Sequence, residues 1–391
     1  MAYTPDPANA TEPVVGREAG SAAEEFRVLK AYIATLAGFP NQYNIFRKNA
    51  IIGGDFSTNP WVRGTSFANL GSGSPEYTAD RWQWIGTAAA GKVTISRSTD
   101  VPSVAQCGQV VVNSLDVQVT TIDAAIGAGD YYVLRQAIEG YNALPLMQRA
   151  VTVSFYIKAK KTGIYCAGLT NTGDRGCPME FTINAADTWE RKTLTFPASP
   201  ATGTWNYTTG VGMQLTITLA AGSTFDGTNG VWGNGNFFKT ASNVNAMDSV
   251  ANYVRLALVQ VEVGSVATAF EERPFQLEES LCQRYAYSLA LTNNGYNRVI
   301  GIVVNGTTLY GAVNLPVRMR AGPSLTVSAA SHFILTDTAS NFAATVITFP
   351  SANREGGEFD VTASGGGMTA QRPMILASVN ASASLLFTSE I

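Results

Sequence analysis

Val151-Thr152-Val153-Ser154-Phe155-Tyr156-Ile157-Lys158 and Met213-Gln214-Leu215-Thr216-Ile217-Thr218-Leu219 decide the fold. In both, apolar and polar residues alternate with a period of two. Val151, Val153, Phe155 and Ile157 therefore share one face of a strand, and Thr152, Ser154, Tyr156 and Lys158 share the other. The pattern predicts that each strand buries one face and wets its opposite. Residues 110–119, 193–196 and 254–263 read as further strands. Their partners must lie far away in sequence, because the intervening segments are too long for simple hairpins. An antiparallel sandwich of Greek-key or jelly-roll type satisfies these conditions best.

Working outward, the chain divides into three parts. Residues 1–44 open with a stretch rich in Pro, Ala and Thr that has no hydrophobic periodicity. A helix over about residues 21–37 follows, started by the capping-box pair Ser21 and Glu24 and stopped by Gly38 and Pro40. Within it Ala22, Phe26, Leu29, Ile33 and Leu36 recur at spacings of four, three, four and three, the seam of a short coiled coil. Self-association along this seam is the expectation; packing of the helix on its own β domain is the alternative. Residues 45–282 form the sandwich. The polar stretch from Glu271 to Glu279 reads as a junction, and residues 283–391 alternate again around turns at Asn293-Asn294-Gly295, Asn305-Gly306 and Gly365-Gly366-Gly367, a smaller β domain. The fold class is thus mainly β, with one short N-terminal helix.

Composition narrows the function. Only 14% of the 391 residues are charged while 46% are apolar, against roughly 25% charged in an average soluble chain. The surface must then be built from Thr, Ser, Asn and Gly. A net charge of -3 without a Lys/Arg cluster excludes a nucleic-acid footprint. No stretch reads as a leader peptide or reaches the roughly 18 apolar residues of a membrane span, so no membrane insertion is expected. Cys107, Cys166, Cys177 and Cys282 form no C-x-x-C pair and read as free thiols, with a Cys166–Cys177 disulfide as the alternative. His332 is the only histidine and sits in a strand-like run without a nucleophile elbow, so no catalytic residues are assigned.

Three groups of residues carry a family resemblance. Asn49-Ala50-Ile51-Ile52-Gly53-Gly54-Asp55-Phe56, Trp61 to Phe67 and Tyr77-Thr78-Ala79-Asp80-Arg81-Trp82 resemble the opening of a domain common in bacteriophage tail fibres. Phe270-Glu271-Glu272-Arg273-Pro274-Phe275, through Glu278 to Cys282-Gln283-Arg284-Tyr285, is similar to its closing signature. Between them Tyr132 to Gly140, the strand at 151–158 and Trp189 to Phe196 resemble carbohydrate-binding-module jelly rolls. Gly53-Gly54 departs from a more usual Asn-Gly. The resemblance implies a virion component, a homotrimer attached through residues 1–44 to tail or baseplate proteins, with the part after Tyr285 as a tip facing bacterial surface polysaccharide or lipopolysaccharide.

A glycan site requires flat aromatic faces with polar groups nearby. Trp205 and Tyr207, and Trp232 in a Gly/Asn-rich loop with Asn234, Asn236, Phe237 and Phe238, are the candidates, with packing of these rings under their own loops or at a subunit interface as the alternative. Trp82 and Trp84 lie two apart and point to core packing instead. A glycosidase needs only two carboxylates, so Asp226, Asp248, Glu180 and Asp187 keep a tailspike-type polysaccharide-degrading enzyme open as an alternative, beside a purely structural decoration fibre. Asp55 is a candidate ligand for a structural Ca²⁺ ion, but a single acidic residue does not make an oxygen cage, and no metal or other cofactor is assigned.

Overall fold

The computed structural model describes residues 48–391 other than Ser74, Ala89, 291–295 and Thr338. The seam residues Ala22, Phe26, Leu29, Ile33 and Leu36 lie outside the described residues. The longer part of the chain contains β1 (Ser66–Leu70), β2 (Glu76–Tyr77), β3 (Gln83–Gly86), β4 (Lys92–Ser98), β5 (Ser114–Thr121), β6 (Tyr131–Glu139), β7 (Val151–Ala159), β8 (Gly163–Thr170), β9 (Gly176–Ile183), β10 (Glu190–Phe196), β11 (Val211–Ala221) and β12 (Tyr253–Val263). They make two six-stranded sheets, ordered β1-β4-β5-β12-β7-β10 and β2-β3-β6-β11-β8-β9. All pairs within them are antiparallel. From β5 onward nearly every connection passes from one sheet to the other, the winding of a jelly roll.

The alternating residues meet between the sheets. Val151, Val153, Phe155 and Ile157 face Met213, Leu215, Ile217 and Leu219 in one core that also holds Trp82 and Trp84. The expectation of a wet opposite face fails. Thr152, Ser154, Thr216 and Thr218 are buried as well, because long connections fold back over both sheets. Phe225 and Phe238 cover Val133 on one sheet, and Val111 and Trp189 cover Ala257 and Leu258 on the other. Cys166 and Cys177 sit on paired strands, where Cys166 opposes Glu180 and Cys177 opposes Leu169. They are three register positions apart, roughly 10 Å along the ladder and on opposite faces, so no disulfide joins them. Both are buried free thiols.

Beyond these sheets come β13 (Ala286–Ala290), β14 (Tyr296–Asn305), β15 (Thr308–Asn314), β16 (Ser324–Val327), β17 (Phe333–Thr336), β18 (Asn341–Thr348), β19 (Ala352–Asn353), β20 (Gly356–Ala363), β21 (Pro373–Ser378) and β22 (Ser384–Thr388). Strands β15-β14-β21-β17-β18-β20 form a ring that closes because β20 pairs back onto β15. Closure removes the exposed edges that an open sheet would leave. Its core includes Val303, Leu309, Phe333, Phe359 and Leu376, and a three-stranded sheet, β13-β22-β16, packs Leu385 and Phe387 against the same cluster. His332 ends a 3₁₀ turn just before β17 rather than lying in a strand.

The stretch from Glu271 to Glu279, read as a polar junction, runs from Phe275 onward into a helix, Phe275–Gln283. It buries Glu278 and Cys282 and exposes Phe275 and Leu277, the reverse of an ordinary amphipathic helix. The reason lies in what it meets. Glu278 accepts the Gly53 N–H and pairs with Arg273 at 3.1 Å, while Arg273 donates to the carbonyls of Ile51 and Asn49. Arg284 and the Tyr285 hydroxyl, at 2.6 Å, both reach Glu139 at the end of β6. The opening and closing motifs thus form one buried polar junction. Glu390 enters it from beyond β22, bridging Arg81 and Arg63, and Arg81 lies 3.6 Å from the centre of the Tyr285 ring. Tyr77 and Arg320 bond the last backbone carbonyls.

Candidate functional site

Three connections gather at one end of the sandwich: residues 171–175 between β8 and β9, 197–210 between β10 and β11, and the long segment after β11. They are tied to each other rather than loose. Asn171 donates to the Thr204 carbonyl at 3.1 Å and Arg175 to that of Thr202 at 3.1 Å, and Gly176 and Gly233 exchange backbone bonds. Asp174 accepts from Asn171 and from the Thr204 N–H and hydroxyl, and these bonds hold its carboxyl below the usual carboxylate range.

On this frame Trp205 and Trp232 meet edge to face, with centroids 5.8 Å apart and planes at 72°. Both are half-buried against the main core. Each indole N–H is already used, Trp205 donating to the Thr202 carbonyl at 3.2 Å and Trp232 to that of Pro197 at 2.9 Å. What remains accessible is ring surface, the part that stacks on sugar C–H groups. Tyr207 is 44% exposed and joins no described ring pair. Between them Asn206 turns inward, its Oδ1 accepting the N–H groups of Thr208 and Gly210. The structure therefore brings two of the three candidate aromatics together and leaves the third beside them. Phe238 is fully buried and stacks on Phe225, while Phe237 packs among Gly227, Gly233 and Gly235.

The four candidate carboxylates are engaged singly. Asp226 pairs with Lys239, Asp248 with Lys161, and Asp187 with Lys160 and the Tyr253 hydroxyl, while Glu180 accepts the Thr240 hydroxyl. Asp55 accepts from Thr58 at 3.0 Å, and burial, with Glu278 adding to it, pushes its carboxyl up to about 6. No group of three or more His, Cys, Asp or Glu side chains placed to hold a metal occurs among the described residues.

A second feature was not foreseen. On the outer face of the sheet containing β7, β10 and β12, a cleft of about 520 Å³ opens between the connection that carries Cys107 and Gln109 and the one that runs from Ala267 to Glu272. The size falls within the range of small-molecule sites. Register places Arg191, Tyr156 and Ala257 in one row across the three strands. Its floor is a bulge in β12, where Leu258 has a φ of 51°. The opening motif docks on that bulge. Gly54 and Val259 are joined by a backbone hydrogen bond of 2.9 Å, and a Cβ on Gly54 would overlap the Val259 carbonyl. Period-two alternation did place Ser154 and Tyr156 on the outer face, but nothing local marks the loops that turn that face into a cleft.

No family model and no curated protein sequence matches the chain. Among solved structures, a family 11 carbohydrate-binding module of a cellulosomal cellulase of Clostridium thermocellum matches at 10% identity and a TM-score of 0.27, covering 50% of this chain and 98% of that one. The N-terminal cellulose-binding domain of a Cellulomonas fimi β-1,4-glucanase matches at 12% identity and 0.24, covering 52% and 97%. A family 61 module in complex with β-1,4-galactotriose matches at 12% and 0.26, covering 56% and 100%. At these scores the likenesses say nothing of ligand or residue.

Proposed function

We propose that this chain is a non-catalytic, glycan-recognising component of a bacteriophage virion, exposed on the tail or another external appendage. In this reading it is a homotrimer, residues 1–44 attach it to other tail or baseplate proteins, and the β structures that follow meet bacterial surface polysaccharide or lipopolysaccharide. The observation that carries the recognition step is the Trp205–Trp232 pair, whose N–H groups are satisfied internally while ring surface stays accessible on mutually tied loops. Sugar stacking of this kind gains little per contact, so three copies on one fibre would raise the effective concentration of each weak site. The opening and closing motifs behind the virion assignment serve the buried junction described above.

The engagement of Asp226, Asp248, Asp187 and Glu180 in separate structural bonds favours binding over hydrolysis. The test is incubation of the purified chain with surface polysaccharides from a panel of bacterial strains, followed by measurement of both retention and polymer length. Retention on at least one polysaccharide with no shortening is expected. Shortening would instead establish the depolymerase alternative, and neither outcome on any polymer would leave a purely structural fibre.

A further inference from the structure

Resting on the reading of the chain as a glycan-recognising protein, we propose that the cleft over the β12 bulge is a second site for a neutral sugar unit, separate from the loop tryptophans. Its polar groups are built for hydroxyls. Arg191 donates to the Thr268 carbonyl at 3.0 Å and forms no ion pair among the described residues, and Glu272 is exposed. A hydroxyl both donates and accepts, so it satisfies a guanidinium and a carboxylate lining the same cleft. A uronic carboxylate placed beside Glu272 would meet a like charge, which a neutral sugar hydroxyl does not.

Two apolar surfaces complete the site. The Tyr156 hydroxyl donates to the Gln106 carbonyl at 2.9 Å, and Tyr156 and Phe270, both packed against the cluster of Trp189, Ala257 and Leu258, line the cleft. Ser154 rises from the floor, and Gln109 borders it. The backbone at Leu258 lies in the left-handed region at the bulge on which the opening motif docks, a conformation that a β-sheet retains only where packing imposes it.

The cleft contains its own reporter. Cys107 lines it and is half-buried, whereas Cys166, Cys177 and Cys282 are buried. Burial also pushes those three thiols up, Cys177 to about 12, so an alkylating reagent in neutral solution is directed to Cys107. The experiment measures alkylation of the full chain by iodoacetamide in the presence of a panel of neutral and uronic-acid-containing oligosaccharides derived from bacterial repeat units, alongside calorimetric binding. Wild type, Arg191→Ala, Glu272→Gln and Trp232→Ala are compared, with Cys107→Ser confirming the labelled site. At least one neutral oligosaccharide should slow Cys107 modification several-fold in wild type and in Trp232→Ala, with protection reduced about tenfold in Arg191→Ala and Glu272→Gln. Binding of a glycan by calorimetry without protection of Cys107, or protection by acidic oligosaccharides alone, would overturn the cleft proposal and leave glycan recognition standing. Absence of binding in both assays would overturn both readings.

Discussion

Asp55 is the residue at which burial and charge are most directly measurable. Its carboxyl is pushed from 3.8 to about 6, first by burial and further by Glu278. A carboxyl with a raised folded pKa binds more protons in the native than in the unfolded chain between those two values, so the contribution of Asp55 to stability is greatest below about 4, falls as pH rises to about 6, and then levels, and Asp80, also raised to about 6, adds to the same slope. Asp55→Asn should flatten that slope in urea melts taken across the interval; an unchanged slope would assign it to other groups. Gly53 is likewise specific: its φ is 68° and a Cβ there would press on Asn59 and the Asp80 carbonyl. The Asn-Gly more usual in the resembling domain therefore does not fit this chain's own turn. Such residues were visible in the sequence as motif letters, but the contacts that give them meaning come from segments about 200 residues away, such as Glu278.

At the scale of elements, β7 and β11 were legible because their alternation is long and regular, and Trp82 and Trp84 fell in the core as their spacing requires. The helix Phe275–Gln283 was not, because it buries Glu278 and Cys282 and exposes Phe275 and Leu277. Hydrophobic periodicity cannot find a helix whose burial is set by ion pairs. The cleft was hidden for a related reason: its walls come from connections without periodicity. The junction makes a prediction. Glu390→Gln would leave Arg81, 2% exposed at its side chain, without its strongest counter-charge. Removing one partner of a buried ion pair costs about 3–5 kcal/mol, and denaturant unfolding should show that loss. A change below about 1 kcal/mol would mean that Arg63 and Arg81 are held by other groups. Gly54→Ala should also destabilise, since its added Cβ meets the Val259 backbone, and should alter Cys107 alkylation by shifting the bulge.

At the scale of the whole molecule, the mainly β architecture and the antiparallel sandwich follow from the alternating strands, whereas closure of β15-β14-β21-β17-β18-β20 into a ring depends on the β15–β20 pairing, which no local pattern announces. Assembly is proposed to run through the seam Ala22, Phe26, Leu29, Ile33 and Leu36, which lies outside the described residues. Light scattering of the full chain should give a trimer, and Leu29→Asp with Ile33→Asp should loosen it by burying like charges; a wild-type monomer at micromolar concentration would remove the trimer from the account. Deleting residues 1–44 should leave the β structures folded and abolish incorporation into particles. Recognition itself is tested most directly by measuring, in the same preparations, adsorption to a receptor-bearing strain and unfolding free energy for wild type, Trp205→Phe, Trp205→Ala, Trp232→Ala and Tyr207→Ala. The tryptophans are half-buried, so their alanine variants should lose stability, while Tyr207→Ala should lose little. The account predicts that adsorption falls about tenfold or more in Trp205→Ala and Trp232→Ala at temperatures where both remain folded, with Trp205→Phe intermediate, because each 1.4 kcal/mol of lost stacking is a factor of ten. Normal adsorption by the folded alanine variants would contradict it.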